Sequence, residues 1–264
     1  MHDSHNLISI DVLAQKSKLN YLNPEYKMLI GICSLLLCVS IKSIILMVVI
    51  GASMMFATIY LGKLKISTYF RLLSLPIVFT ILSGIAILIQ ISSTENGIIN
   101  IPFAHWFLSI TWNSIIETGT VIIRSYSAIT CLFMISLTTP IADIIDVLRK
   151  AKIPDIMIEL MYLIYRYLMI LIEVNAKMTI AANSRLGYKT FRNSYRSMFG
   201  IATNLLVLSF KRASISFDAM ESRGYNGTIK FWQEKKELHK KEVILGAMYF
   251  IVLGIIVIRY LRNI

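Results

Sequence analysis

Residues 43–62 read SIILMVVIGASMMFATIYLG, twenty positions without a charge. About 20 consecutive apolar residues are what an α-helix needs to cross the hydrocarbon core of a bilayer. The rest of the chain supports that reading. Of its 264 residues 56% are hydrophobic and 16% charged, and the mean hydropathy is +0.67. A soluble domain carries about 25% charged residues. The apolar residues also fall in runs rather than evenly, which argues for an integral membrane protein over a large soluble core.

Working outward, MLIGICSLLLCVSI (28–41) precedes this run, separated from it only by Lys42. Two spans joined by a very tight turn are expected, the first starting near Tyr26, with Pro24 suited to a helix start. A single bent element is the alternative, because the first run is short. Residues 63–74 are basic, and LPIVFTILSGIAILIQI (75–91) is a third span. A polar, aromatic loop follows over 92–114, with Trp106 and Trp112. The fourth span, 114–137, is interrupted by Glu117 and Arg124. Residues 243–258 form a last span, and LRKAKIP (148–154) and TIKFWQEKKELHKKE (228–242) are charged. The sequence thus predicts an all-α integral membrane protein with about five transmembrane helices and long amphipathic cytoplasmic helices. It divides into an amino-terminal membrane domain (1–138), a helical region (139–227), and a charged linker with the last span (228–264).

Lysine and arginine are absent from Leu72 to Ile123. The 92–114 loop is therefore expected outside, and the amino terminus and the 139–227 helices in the cytoplasm. The net charge of +12 is concentrated beside the spans. That fits topology and contact with anionic headgroups, and no nucleic-acid motif is present. Cys33, Cys38 and Cys131 lie in apolar runs and read as small buried hydrophobes. No P-loop, His-Glu-x-x-His or Cys-x-x-Cys occurs. His2 and His5 alone do not make a metal site, and no catalytic constellation is visible.

Within 139–227 the segment TPIADIIDVLRK reads as a short helix, with Thr139 at the N-cap and Pro140 at N1. Pro154 opens a long helix to about residue 185, about 45 Å in length. Its polar positions Glu159, Arg166, Glu173 and Ser184 share one stripe. Arg166 is expected to pair with Glu159 or Glu173, and Lys177 with Glu173. Leu206, Phe210, Ala213, Phe217 and Met220 make one apolar face of a second amphipathic helix over 209–224.

Both helices end on the same word. AANSRLGYK (181–189) and AMESRGYNG (219–227) each read Ala-x-x-Ser-Arg, then Gly-Tyr. Arginine near a helix C-terminus meets exposed carbonyls, and a following glycine ends the helix. On spacing alone these are two capped helix ends. They are equally two tips presenting small residues and a planar guanidinium fork to a carboxylate on a partner.

These motifs resemble the transmembrane T subunit of energy-coupling factor transporters. That family carries two short Ala/Ser-Arg motifs at the ends of long coupling helices. The matching residues here are Ser184-Arg185-Leu186 and Ser222-Arg223-Gly224, the first departing by inserting Leu186 before Gly187. IDVLAQKSKLNYLNPEYK (10–27), TTPIADIIDVLRKAKIP (138–154) and YRYLMILIEVNAKM (165–178) are similar to the cobalt-type CbiQ branch. The resemblance implies a non-catalytic multi-pass subunit in the cell membrane. Two cytosolic P-loop ATPase subunits would bind the six motif residues, and a small membrane substrate-capture subunit would pack against the same scaffold. ATP would be bound by those partners and no cofactor by this chain. Cobalt or nickel would be the cargo, with a vitamin as the alternative. Two other classes stay open: a self-sufficient secondary transporter or channel built on Glu117 and Arg124, and a membrane anchor or adaptor binding through 228–242.

Overall fold

The computed structural model describes residues 3–41, 43–88, 90–92, 99–103, 106–227, 229, 236 and 240–262. His2, Lys42 and most of the charged stretch 228–242 lie outside them. The chain divides into two compact units, 11–140 with 236–264, and 1–10 with 141–235.

Helix α1 (Asp3–Lys16) leads into a 3-10 turn, Lys18–Tyr21. Helix α2 (Pro24–Ser40) starts at the expected proline, and the Asn23 side chain accepts the Glu25 N–H at 3.0 Å. Helix α3 (Ile44–Phe56) runs on as one π-helical turn, Ala57–Leu61, capped at its start by Ser43. Helix α4 (Ile66–Leu88) contains Pro76. The basic segment 63–74, expected to precede the third span, is therefore mostly part of it. Proline removes the backbone donor that would bond the Leu72 carbonyl, and α4 continues through it. Membrane helices tolerate proline where local adjustment re-satisfies the freed group.

The loop expected over 92–114 holds a small antiparallel sheet, β1 (Gln90–Ser92), β2 (Ile99–Phe103) and β3 (Trp106–Ile110), in the order β1-β3-β2. Gln90 pairs with Ser109, and Pro102 with Phe107. Pro102 is tolerated because β2 is an edge strand. Helix α5 (Trp112–Thr138) follows, its start fixed by the Ser114 hydroxyl, which accepts the Thr111 N–H at 3.1 Å. Helix α9 (Lys240–Arg262) closes the chain.

Among the described residues three helical stretches are long and apolar enough to cross a membrane: 44–61, 66–88 and 112–138. A shorter apolar helix covers 244–260, and α2 has 17 residues. Helix α5 is the hub, packed on α2, α3 and α4. The core joins Cys38, Leu46, Met47, Ile50, Cys131 and Leu253, all buried. In lipid the hydrophobic effect does not drive helices together, so side-chain hydrogen bonds and close packing carry more of the association. Ser127 on α5 donates to the Met47 carbonyl of α3 at 2.6 Å. The Tyr249 hydroxyl on α9 accepts from Ser34 and Ser53, each at 3.3 Å, tying α9 to α2 and α3. Lys27 is 2% exposed, and its ammonium donates to the carbonyls of Leu19 at 2.8 Å and Thr138 at 2.9 Å. The three cysteines are free; Cys38 and Cys131 are wholly buried as their apolar settings predict, whereas Cys33 is only half-buried.

The second unit contains α6 (Ile141–Lys150), α7 (Asp155–Ser184) and α8 (Phe191–Glu221). Thr139 is not the N-cap predicted for α6. It closes α5, its N–H bonding the Ile135 carbonyl at 3.0 Å, and its hydroxyl is buried without a partner. Tyr162 on α7 donates to Asp146 on α6 at 2.8 Å, and Arg149 stands over the Tyr162 ring. Burial, then the bond to Asp146, push the Tyr162 phenol up to about 12. Helix α8 begins at Phe191, well before the expected residue 209. None of its 31 residues is buried. It meets α7 through the Tyr167–Ser216 hydroxyl contact and along a groove of about 1360 Å³ lined by Leu163, Leu171, Ala202, Leu205 and Met220.

Candidate docking tips

The two repeated words are the two ends of the α7–α8 pair, and both are built as the same helix stop. At the end of α7, the Gly187 N–H bonds the Ala182 carbonyl at 2.8 Å and the Leu186 N–H bonds the Asn183 carbonyl at 3.0 Å. At the end of α8, the Tyr225 N–H bonds the Met220 carbonyl at 3.0 Å and the Gly224 N–H bonds the Glu221 carbonyl at 2.9 Å. Paired bonds of this kind, around one residue in the left-handed region, form a Schellman motif. That residue is Leu186 (φ 57°) in the first tip and Gly224 (φ 76°) in the second. Arg185 and Arg223 therefore occupy the same position relative to their helix ends.

The insertion of Leu186 thus has a structural meaning. Leucine takes the position that glycine holds in the second tip, and Gly187 answers a different demand. A Cβ at Gly187 would lie 2.5 Å from the Ser197 hydroxyl and 2.8 Å from the Ala182 carbonyl oxygen. Ser197 uses that closeness to donate to the Gly187 carbonyl at 3.0 Å. A leucine in the left-handed region costs about 1–2 kcal/mol relative to its right-handed form. Leu186→Gly is expected to stabilise the end of α7 by about 1 kcal/mol, seen as slower amide exchange at Gly187. Unchanged exchange would mean that leucine makes compensating contacts.

The second tip is held from the other end of α7. Glu159 is 4% exposed, and its carboxylate accepts the Tyr225 hydroxyl at 2.9 Å and the Ile229 N–H at 2.6 Å. The bond to Glu159 raises the Tyr225 phenol above its ordinary value. Glu159→Gln is expected to weaken this clasp by about 1–3 kcal/mol, since a hydrogen bond to a charged group becomes neutral. Hydrogen exchange at the Ile229 N–H should rise roughly tenfold, and protection equal to wild type would argue against the clasp. Glu159 and Arg185 lie 26 positions apart along α7 and its C-cap, so the tips stand about 40 Å apart.

Ser184, Arg185, Leu186, Ser222, Arg223 and Gly224 are all exposed. Both serines bond back to their own helices, Ser184 to Ile180 and Ser222 to Ala219, each at 3.1 Å. Neither arginine makes an ion pair among the described residues. Lys177 pairs with Glu173 at 2.7 Å as expected, holding that carboxyl below its ordinary value. Arg166 does not behave as predicted. It is exposed and pairs with neither acid: each lies seven positions away along α7, about 10 Å in height, and Glu159 bonds Tyr225 and Ile229 while Glu173 bonds Lys177. The Glu159 clasp itself was missed. A carboxylate early in a helix offers no signal of a partner 66 residues away.

Glu117 and Arg124 do not form an intramembrane pair. Seven positions along α5 put them about 10 Å apart in height. Glu117 is exposed, no bond joins the two, and the Arg124 Nε is buried without a partner. No cluster of three or more metal-ligating side chains occurs among the described residues.

A membrane-embedded helical protein with two exposed, arginine-tipped helix ends is the class this architecture defines. Residues 15–234 match the cobalt transport protein family, CbiQ, and the chain belongs to that family. It is 27% identical to an uncharacterized protein of Methanocaldococcus jannaschii, over 98% of this chain and 94% of that one. It is 27% identical to a putative fused cobalt transport protein CbiMQ of Methanocorpusculum labreanum, over 86% of this chain and 38% of the longer fused protein. It is 28% identical to the energy-coupling factor transporter transmembrane protein EcfT of Lactococcus lactis, over 74% of this chain and 79% of that one.

Proposed function

We propose that the chain is the transmembrane coupling subunit of an ATP-driven energy-coupling factor uptake transporter for cobalt or nickel ions. Ser184-Arg185-Leu186 and Ser222-Arg223-Gly224 each seat on one of two cytosolic P-loop ATPase subunits. A small membrane subunit captures the substrate and packs against the same scaffold. The chain holds no cofactor and performs no chemistry. It lies in the cell membrane with its amino terminus and both tips in the cytoplasm, in keeping with its lysine and arginine distribution.

The observation that carries this reading is the pair of equivalent stops with free arginines. Each presents an exposed guanidinium at the same position of its helix stop, and neither makes an ion pair among the described residues. A spacing of about 40 Å suits two globular partners side by side better than one small ligand. The unburied apolar surface of α8 is a second support, since Phe191 is 85% exposed and Phe210 71%. Exposed apolar area on this scale marks an interaction surface. Among the relatives, one bears the name of an energy-coupling factor component and another is a fused cobalt transport protein, which favours a membrane-bound companion.

The test is gentle-detergent copurification of the tagged chain from its native membrane, with companions identified by mass spectrometry. Two P-loop ATPase copies or homologues and one small hydrophobic subunit are the expected result, and the latter's identity sets the substrate. A chain that purifies alone and transports alone would overturn the proposal.

A further inference from the structure

The turn 62–65 joins two stretches that are each long and apolar enough to cross a membrane, 44–61 and 66–88. Four residues between two spans cannot leave the headgroup layer, so Lys63 and Lys65 stand at that level. The segment after α1 docks onto the same turn. The Ser17 hydroxyl donates to the Gly62 carbonyl at 3.3 Å, and the Lys18 N–H donates to the same oxygen at 3.4 Å. Lys63 follows in the left-handed region at φ 52°. The bonds to Gly62 place Lys18 beside Lys63, and the Lys18 side chain, then its charge, lower the Lys63 pKa.

Both side chains are exposed, and so are Lys65 and Arg71, the latter just inside α4. None of the four makes an ion pair among the described residues. Two lysines set beside each other by backbone bonds to Gly62, with no carboxylate paired to either among the described residues, repel each other unless an anion lies between them. Next to them the surface turns apolar, with Leu61 49%, Ile66 55% and Phe70 49% exposed. Cations at headgroup level above exposed aliphatic and aromatic side chains complement a phosphodiester with acyl chains below it.

We infer that Lys18 and Lys63 form a binding site for the headgroup phosphate of an anionic phospholipid, with Lys65 and Arg71 adding to its field. A free phosphate would satisfy the two ammonium groups but not the apolar surface beneath them.

The full-length chain, delipidated in mild detergent, is to be mixed with phosphatidylglycerol or with phosphatidylcholine of the same acyl chains. Retained lipid is then counted by native mass spectrometry. Wild type is expected to hold phosphatidylglycerol in preference. In K18Q/K63Q the retention should fall roughly fivefold for each lysine removed, while K18R/K63R keeps it. Equal retention of the two lipids by wild type overturns the site whatever the variants do, and so does undiminished phosphatidylglycerol on a folded K18Q/K63Q. Displacement of the lipid by equimolar inorganic phosphate would make it a free-anion site and overturn the lipid assignment.

Discussion

A chain carrying Arg185→Glu and Arg223→Glu is expected to fold, insert and, on the proposed coupling role, lose the ATPase subunits that would dock on its two tips. Both guanidinium groups are exposed and unpaired, so the isolated chain loses no internal contact. Surface changes of that kind stay within about 0.5 kcal/mol. On docking the balance differs. An arginine desolvated against a partner carboxylate forms charged, often bidentate bonds, and losing such a pair costs about 2–5 kcal/mol. Reversal adds like-charge repulsion. Each tip should weaken by roughly 30-fold to 1000-fold or more, and two tips acting on one partner complex multiply that loss. Copurified ATPase should vanish and metal uptake with it, while the melting temperature of the chain alone is unchanged. Retained ATPases, or uptake at the wild-type rate, would refute the docking role of both arginines.

Replacing Lys27 with alanine is expected to give the largest loss of stability among single changes in the membrane unit, about 3–5 kcal/mol. Its buried ammonium bonds two carbonyls, at the 3-10 turn (Leu19) and at the end of α5 (Thr138). A hydrogen bond to a charged group contributes about 1.5–3 kcal/mol, and each buried carbonyl left alone adds a desolvation cost. Arginine should not rescue, because a planar fork does not reproduce a point charge between two carbonyls. Thermal unfolding of the purified chain in detergent reads the effect directly. A K27A protein that melts with wild type would show that water or a shifted backbone satisfies both carbonyls.

Features governed by local rules were legible in the sequence. Pro24 and Pro154 mark helix starts because proline fits there, and the Glu173–Lys177 pair follows from helical spacing. The repeated Ser-Arg word gave both helix ends, since arginine then glycine is a C-terminal signal. Features set by distant partners were not. Glu159 was read as one of a stripe of charges, yet its partners lie across the fold. Basic residues 63–74 looked like a loop, but Arg71 reaches the surface from inside a helix, and Pro76 is accommodated within it. The strands of 90–110 were hidden because polar and aromatic composition alone does not fix a register. Whether Leu186 or Gly187 would turn left-handed could not be told from order alone. In the fold Leu186 does, as the bonds of Gly187 to Ala182 and Leu186 to Asn183 require, while Ser197 and the Ala182 carbonyl leave no room for a side chain at Gly187.

The clasp at Glu159 and the stop at Arg185 make α7 a beam loaded at both ends. A sideways shift of about 4 Å imposed at one end tilts a beam of about 40 Å by roughly 6°. With partners docked at both tips as proposed, a displacement at one end would be carried to the other as a single rotation of α7. The clasp sets how faithfully that rotation is delivered. A loosened Glu159 would let the second end lag, so that fuel is consumed with less work done.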